Sequence, residues 1–309
     1  MKLFQKNMSV FLFAILTTLL WGAAFPLIKL SYRELGISAD DIGTMIAFAG
    51  ERFFLAGVLV LIIGKWLKNP FQLSFRNISS LFRLGIFQTF LSYVLFYIGL
   101  AYTTGVQGSI IVGSTCIFQM LLAAQMYHEP MTRNKMIGVL LGMAGIVVIH
   151  FQGLSEGFHI GIGEIAMFAS VLISAYGNTY SKKVVLALSP AIVSGTQMTL
   201  GGLLLLVTGW ILDGRFFVGW TVLALFDFML LVLISSISLW IWTTLLKYHS
   251  VGKVSVFMFL IPVFGVFLSA FFVGEQIRLE HYGGLLLVIF GIVSVFIKDV
   301  LNEQKQNSL

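Results

Sequence analysis

A chain of 309 residues that is 58% hydrophobic and only 10% charged has too little polar surface to wrap a water-soluble core, since soluble domains run at roughly 45–50% and 25%. Lipid must solvate most of its exterior, which excludes a soluble enzyme or a soluble binding module. The net charge of +6 does not indicate a nucleic-acid partner, because the 19 Lys and Arg residues lie scattered singly between apolar runs.

A bilayer core of about 30 Å takes about 20 helical residues. By that ruler the apolar runs predict ten spans, over residues 8–30, 42–64, 80–100, 106–127, 134–151, 161–181, 190–212, 221–246, 252–273 and 281–298. Their unbroken length rules against the alternating ten-residue strands of a membrane barrel. The first run follows Lys2 and Lys6 as a signal peptide would. No small-residue cleavage site follows, so it reads as a retained helix. Asp299 onward reads as a disordered tail.

The first span places Thr18, Gly22, Pro26 and Lys29 at helical spacing. Pro26 is expected to free a backbone carbonyl there. Glu51 and Arg52 lie near mid-depth in the second span. An Arg at that depth costs roughly 2.5–3.5 kcal/mol on insertion scales, so it must face protein or water. Adjacent helical positions point about 100° apart, so the two residues need separate partners, with Glu164 and Asp227 as candidates for Arg52. The third span carries Gln88, Thr89, Ser92 and Tyr93 in one arc, with Tyr97 beside it. Cys116 lies inside the fourth, so no intrachain disulfide can form. Gly138, Gly142 and Gly145 mark the fifth as a packing face. The sixth carries Ser170, Ser174, Gly177, Asn178 and Ser181 on one face, and the eighth carries Ser235, Ser238 and Trp242 at i, i+3, i+7. Polar arcs of this kind turn inward, either to pack or to line a path. Substrate-binding or gating residues are expected among Trp21, Glu51, Arg52, Gln88, Tyr93, Tyr176, Asn178 and Trp242. No pair of the five histidines has ligand spacing, so neither a metal nor another cofactor is expected.

The chain also repeats itself. At the offset that carries Glu129 onto Glu275, Leu122 falls on Leu268, Gly138 on Gly284, Gly145 on Gly291 and Ile146 on Ile292. A repeat of this length signals duplicated architecture: residues 1–151 form one half, 152–298 the other, and 299–309 the tail. Lys and Arg set the orientation. With the N-terminus inside, fourteen of the nineteen fall in inside segments, four outside, and Arg52 within a span. Both termini are therefore expected to be cytoplasmic. Five spans per half is odd, so the second half enters from the opposite side. Glu129 and Glu275 are expected before the fifth and tenth spans, where a carboxylate favours a helix N-terminus.

Trp21-Gly22 in the first span, Arg52-Phe53 in the second, and the joints Glu129-Pro130-Met131-Thr132 and Glu275-Gln276-Ile277-Arg278 resemble the drug/metabolite transporter superfamily, EamA family, over essentially the whole chain. The resemblance implies a ten-helix transporter whose cavity is lined by helices 1, 3, 4, 6, 8 and 9. In the second half Tyr176 takes the place of Trp21, and Gln197 that of Arg52.

The expectation is an all-α integral membrane protein with ten transmembrane helices in two inverted five-helix repeats. Inverted repeats can exchange conformations around a midplane site. The chain is thus expected to be a secondary transporter of a small metabolite, such as an amino acid or related amphipathic solute. Export across the bacterial cytoplasmic membrane by alternating access is the expected direction and mechanism. Its partners are that solute and the lipid bilayer; oligomeric state is not encoded in any motif. An importer or exchanger of another metabolite or drug is the alternative, with a non-transporting membrane protein behind it. An enzyme lacks a converging set of catalytic groups, and no Gly-rich phosphate cradle supports ATP drive.

Overall fold

The computed structural model describes residues 4, 7–38, 40–67, 75–103, 105–151, 160–212, 214–216, 220–274 and 276–307. Every regular element among them is helical. In chain order these are α1 (Asn7–Leu35), α2 (Ile42–Trp66), α3 (Phe75–Leu84, a π-helical segment Gly85–Leu91, then Ser92–Tyr102) and α4 (Gly105–Gly113 and Thr115–Tyr127). Then follow α5 (Arg133–Ile149), α6 (Ile162–Ala187), α7 (Pro190–Ile211) and α8 (Val222–Tyr248). Last come α9 (Val251–Ser255, a 3-10 turn Val256–Phe259, then Leu260–Val273) and α10 (Leu279–Asn307).

Starts are set by local chemistry. The side chains of Asp41, Thr132, Ser189 and Thr221 each accept a hydrogen bond from the backbone N–H three residues on, satisfying donors that a helix N-terminus leaves open. α4 and α9 end on left-handed residues, His128 at φ 53° and Gly274 at φ 80°, as helix C-termini commonly do.

Eight helices among the described residues are long and apolar enough to cross a membrane. α5 has only 17 residues, and α6, with Glu164, Asn178, Lys182 and Lys183, is more polar; neither is among the eight. Large apolar side chains such as Leu140, Trp210, Val222, Phe271 and Leu279 are exposed around the bundle, a surface that lipid tolerates and water does not. The chain is a multi-pass membrane protein.

One sequence expectation changes here. The stretch after Asp299 continues α10 to Asn307, because Leu, Glu, Gln and Lys favour helix and no Gly or Pro interrupts them. Pro26 does not break α1, which runs through it. The proline that coincides with a break is Pro262, just beyond the 3-10 turn of α9, consistent with its ring crowding the carbonyl four residues back. Glu275 lies outside the described residues.

The dominant pairings are α2 with α7, α5 with α10, α1 with α8 and α9, and α6 with α3 and α4. Small residues bring the paired backbones together. A Cβ on Gly202 would fall 2.4 Å from Phe54 N, and one on Gly50 would fall 2.6 Å from Leu206 N. On α5, Gly138 faces the carbonyl of Gly291, and Gly145 that of Gly284. In lipid, where apolar surface gains nothing by leaving the solvent, such close backbone approach supplies the packing energy.

Candidate functional site

A cavity of about 460 Å³ lies within the bundle, inside the roughly 300–1,000 Å³ range of small-molecule sites. α1, α3, α4, α6, α8 and α9 wall it. α2 adds Met45, Arg52 and Phe53, and α7 adds Gln197. It extends toward the end of the bundle bearing Lys29, Ile37 and Leu100.

Five of the eight expected site residues line this space: Trp21, Arg52, Gln88, Tyr93 and Asn178. Arg52 is 4% exposed, its guanidinium 4.4 Å from the Phe53 ring centroid and 6.0 Å from that of Tyr93. Gln88 Nε2 donates to Asn178 Oδ1 at 2.9 Å, and Thr89 Oγ1 donates to Gln197 Oε1 at 3.0 Å. These two bonds tie α3 to α6 and α7. Gln88 and Thr89 sit on the π-helical segment; such segments often mark functional sites. The close seat of α3 on α6 depends on Gly177, whose added Cβ would fall 2.7 Å from Gln88 Cβ.

The other three lie elsewhere. Glu51, 3% exposed, lines a separate small cleft with Thr44, Phe48, Arg215 and Trp220. Trp242 is fully buried behind Trp21, ring centroids 5.0 Å apart. Tyr176 packs between Phe87 and Tyr180, at 5.2 and 5.8 Å, in a cluster away from the cavity. The partners expected for Arg52 are engaged or remote. Glu164 accepts from Gly161 N at 2.8 Å and from the Thr103 hydroxyl, capping its own helix. Asp227 lines neither space. On α1, Gly22 faces α9, its Cβ position 2.6 Å from Phe264 Cβ. The cavity face is Trp21, Phe25, Ile28, Lys29 and Tyr32; of the expected stripe of Thr18, Gly22, Pro26 and Lys29, only Lys29 lines it.

Sequence reasoning missed Tyr32, Phe53 and Thr115 as lining residues. A Phe at helical spacing looks like core, and only its position beside Arg52 could have singled out Phe53.

The end of the bundle opposite Lys29 and Ile37 is closed by polar contacts between elements. Lys182 Nζ donates to the carbonyls of Leu246 at 3.1 Å and His249 at 2.5 Å. Lys247 Nζ donates to Leu188 O at 3.2 Å, and Tyr127 OH to Thr179 O at 2.8 Å. Glu129 accepts from Val251 N at 2.7 Å and Gly252 N at 3.0 Å. The helix-terminus chemistry expected of Glu129 is present, but it serves α9 across the bundle rather than α5 next to it.

The cavity end is tied by Arg215. Its N–H donates to Thr44 Oγ1 at 2.9 Å, and its Nη2 donates to Asp41 at 3.1 Å and to the Gly36 carbonyl at 3.2 Å. Partial burial would raise the Asp41 carboxyl, but hydrogen bonds from Thr44 and Arg215 outweigh it and hold the group below the usual carboxylate range.

A model of the EamA-like transporter family matches the chain twice, over residues 8–151 and 161–297. An uncharacterised transporter of Archaeoglobus fulgidus is 27% identical over 285 residues, covering 91% of this chain and 96% of that protein. The Bacillus subtilis transporter YvbV is 27% identical over 305 residues, with 97% and 95% covered. A Chlamydia muridarum protein named as an S-adenosylmethionine/S-adenosylhomocysteine transporter is 24% identical over 211 residues, with 66% and 64% covered. One crystal structure superimposes with a TM-score of 0.73 at 17% identity, over 94% of this chain and 98% of that one, which establishes the shared fold. With the family model spanning nearly the whole chain, this protein belongs to the EamA-like transporter family.

Proposed function

We propose that this protein is a secondary carrier that moves a small amphipathic metabolite across the bacterial cytoplasmic membrane by alternating access, with export as its direction. The observation that carries this reading is the cavity itself. It is metabolite-sized, walled by helices from both halves of the chain, extended toward one end and sealed at the other. Amino acids and their derivatives are among the cargo classes of that size, and the named cargo of the Chlamydia relative supports including them.

Alternating access requires two near-equivalent packings, which an inverted repeat provides. Several features support ten spans in two inverted halves. Exchanging each helix with the one five places along maps the dominant pairings onto themselves, α2 with α7 and α5 with α10 being self-paired. The contact of Gly138 with Gly291 becomes that of Gly145 with Gly284. The left-handed ends of α4 and α9, at His128 and Gly274, fall at the repeat offset, and each of these helices is broken near its middle, around Ser114 and over Val256–Phe259. With both termini cytoplasmic, the cavity faces outward and the Lys182–Glu129 end forms a closed inner gate.

Counterflow in proteoliposomes tests the carrier. Internal unlabelled solute should accelerate uptake of labelled solute, and its failure to do so for any solute the protein binds would remove the carrier reading. The sidedness of net flux in oriented vesicles separates export from import. Topology is checked by cysteines placed at Met131 and Ile277, both exposed, in a background lacking Cys116. They should label from opposite sides with an impermeant maleimide, and labelling from one side would rule out the inverted arrangement.

A further inference from the structure

The cavity wall carries charge of one sign. Among its described lining residues Arg52 and Lys29 are cationic and none is acidic. Lys29 is exposed, whereas Arg52 is 4% exposed and its Nε has no hydrogen-bond partner among the described residues. The rings of Phe53 and Tyr93 stack against the guanidinium, but aromatic faces do not neutralise a charge. A cation buried this way in a membrane protein costs free energy unless an anion or water meets it.

We infer that the cargo is an organic anion: a carboxylate on a small, flat apolar body. The forked donors of a guanidinium match the two oxygens of a carboxylate. Trp21, Phe53 and Phe96 provide an aromatic wall for the body. Gln88 Oε1, buried without a partner among the described residues, can accept from a hydroxyl on the solute. A primary ammonium, by contrast, meets no carboxylate among the described lining residues. This inference rests on the carrier reading and narrows its cargo from amphipathic metabolites in general to those of net negative charge.

Three probes of similar ring and different charge test it: phenylacetate, phenylalanine and phenethylamine, titrated calorimetrically against the purified full chain in detergent. Phenylacetate should bind saturably and at least about tenfold more tightly than the other two, the scale of one charge-assisted hydrogen bond. Arg52→Gln should weaken phenylacetate by a similar factor, and Arg52→Lys should restore part of it. Equal or tighter binding of phenethylamine or phenylalanine, no binding of phenylacetate, or undiminished binding in a folded Arg52→Gln protein would each overturn the inference. If Arg52→Gln does not fold, the charge series on the wild-type chain decides alone. Phenylacetate binding without counterflow would keep the charge assignment and remove the carrier, while counterflow of phenethylamine would do the reverse.

Discussion

Arg52→Ala should cut transport by about 10- to 150-fold, the loss of one to a few charge-assisted contacts worth roughly 1.5–3 kcal/mol, while thermal stability changes little. Removing a buried cation relieves an insertion cost of roughly 2.5–3.5 kcal/mol. Losing its stack on Phe53 and Tyr93, at 4.4 and 6.0 Å, forfeits about 0.5–2 kcal/mol and leaves a void beside the rings. These terms oppose each other, so the melting midpoint of the purified protein should stay near the wild-type value. That combination separates two roles for the residue. A structural pin would show lower stability and yield together with lost flux, whereas a residue that meets the cargo loses flux alone. Wild-type flux in a stable Arg52→Ala protein would take Arg52 out of the mechanism.

The second large effect lies at the seam between α2 and α7. Gly202→Ala should destabilise the fold by about 1–3 kcal/mol or more, the range for an overpacked site, and should lower the fraction that survives size-exclusion chromatography. The new methyl would sit 2.4 Å from Phe54 N and 2.9 Å from Phe53 C. Those are backbone atoms, so no rotamer change can make room and the helices must separate. Separation would also move the cavity residues on these two helices, Arg52 on α2 and Gln197 on α7 among them. Gly265→Ala is the matched control on α9, because its Cβ would meet nothing nearer than Phe25 Cδ2 at 3.6 Å. Equal midpoints for the two variants would show that the seam is not closely packed.

The membrane setting and helical class were legible in the residues, because lipid leaves a chain few ways to satisfy its backbone and long apolar runs report directly on that constraint. Arg52 was legible as well. A charge at mid-depth is costly wherever it points, so its presence alone marks it as a residue that must meet protein, water or cargo.

Facing was harder to read. Helical spacing places Thr18, Gly22, Pro26 and Lys29 on one stripe but cannot say which of them meets a cavity and which a neighbour; the structure turns Gly22 onto α9 and gives the cavity Lys29 together with Trp21 and Tyr32. The two adjacent charges show the same limit, since the 100° turn between Glu51 and Arg52 sends them into different spaces. Partner choice was beyond the sequence altogether: Glu129 binds backbone N–H groups more than 120 residues away, and Gln88 meets Asn178 across two helices. Composition and periodicity are properties of one segment, and they determined what each segment is. A contact belongs to two segments brought together by packing, so only the tertiary structure decided which of these side chains share the cavity.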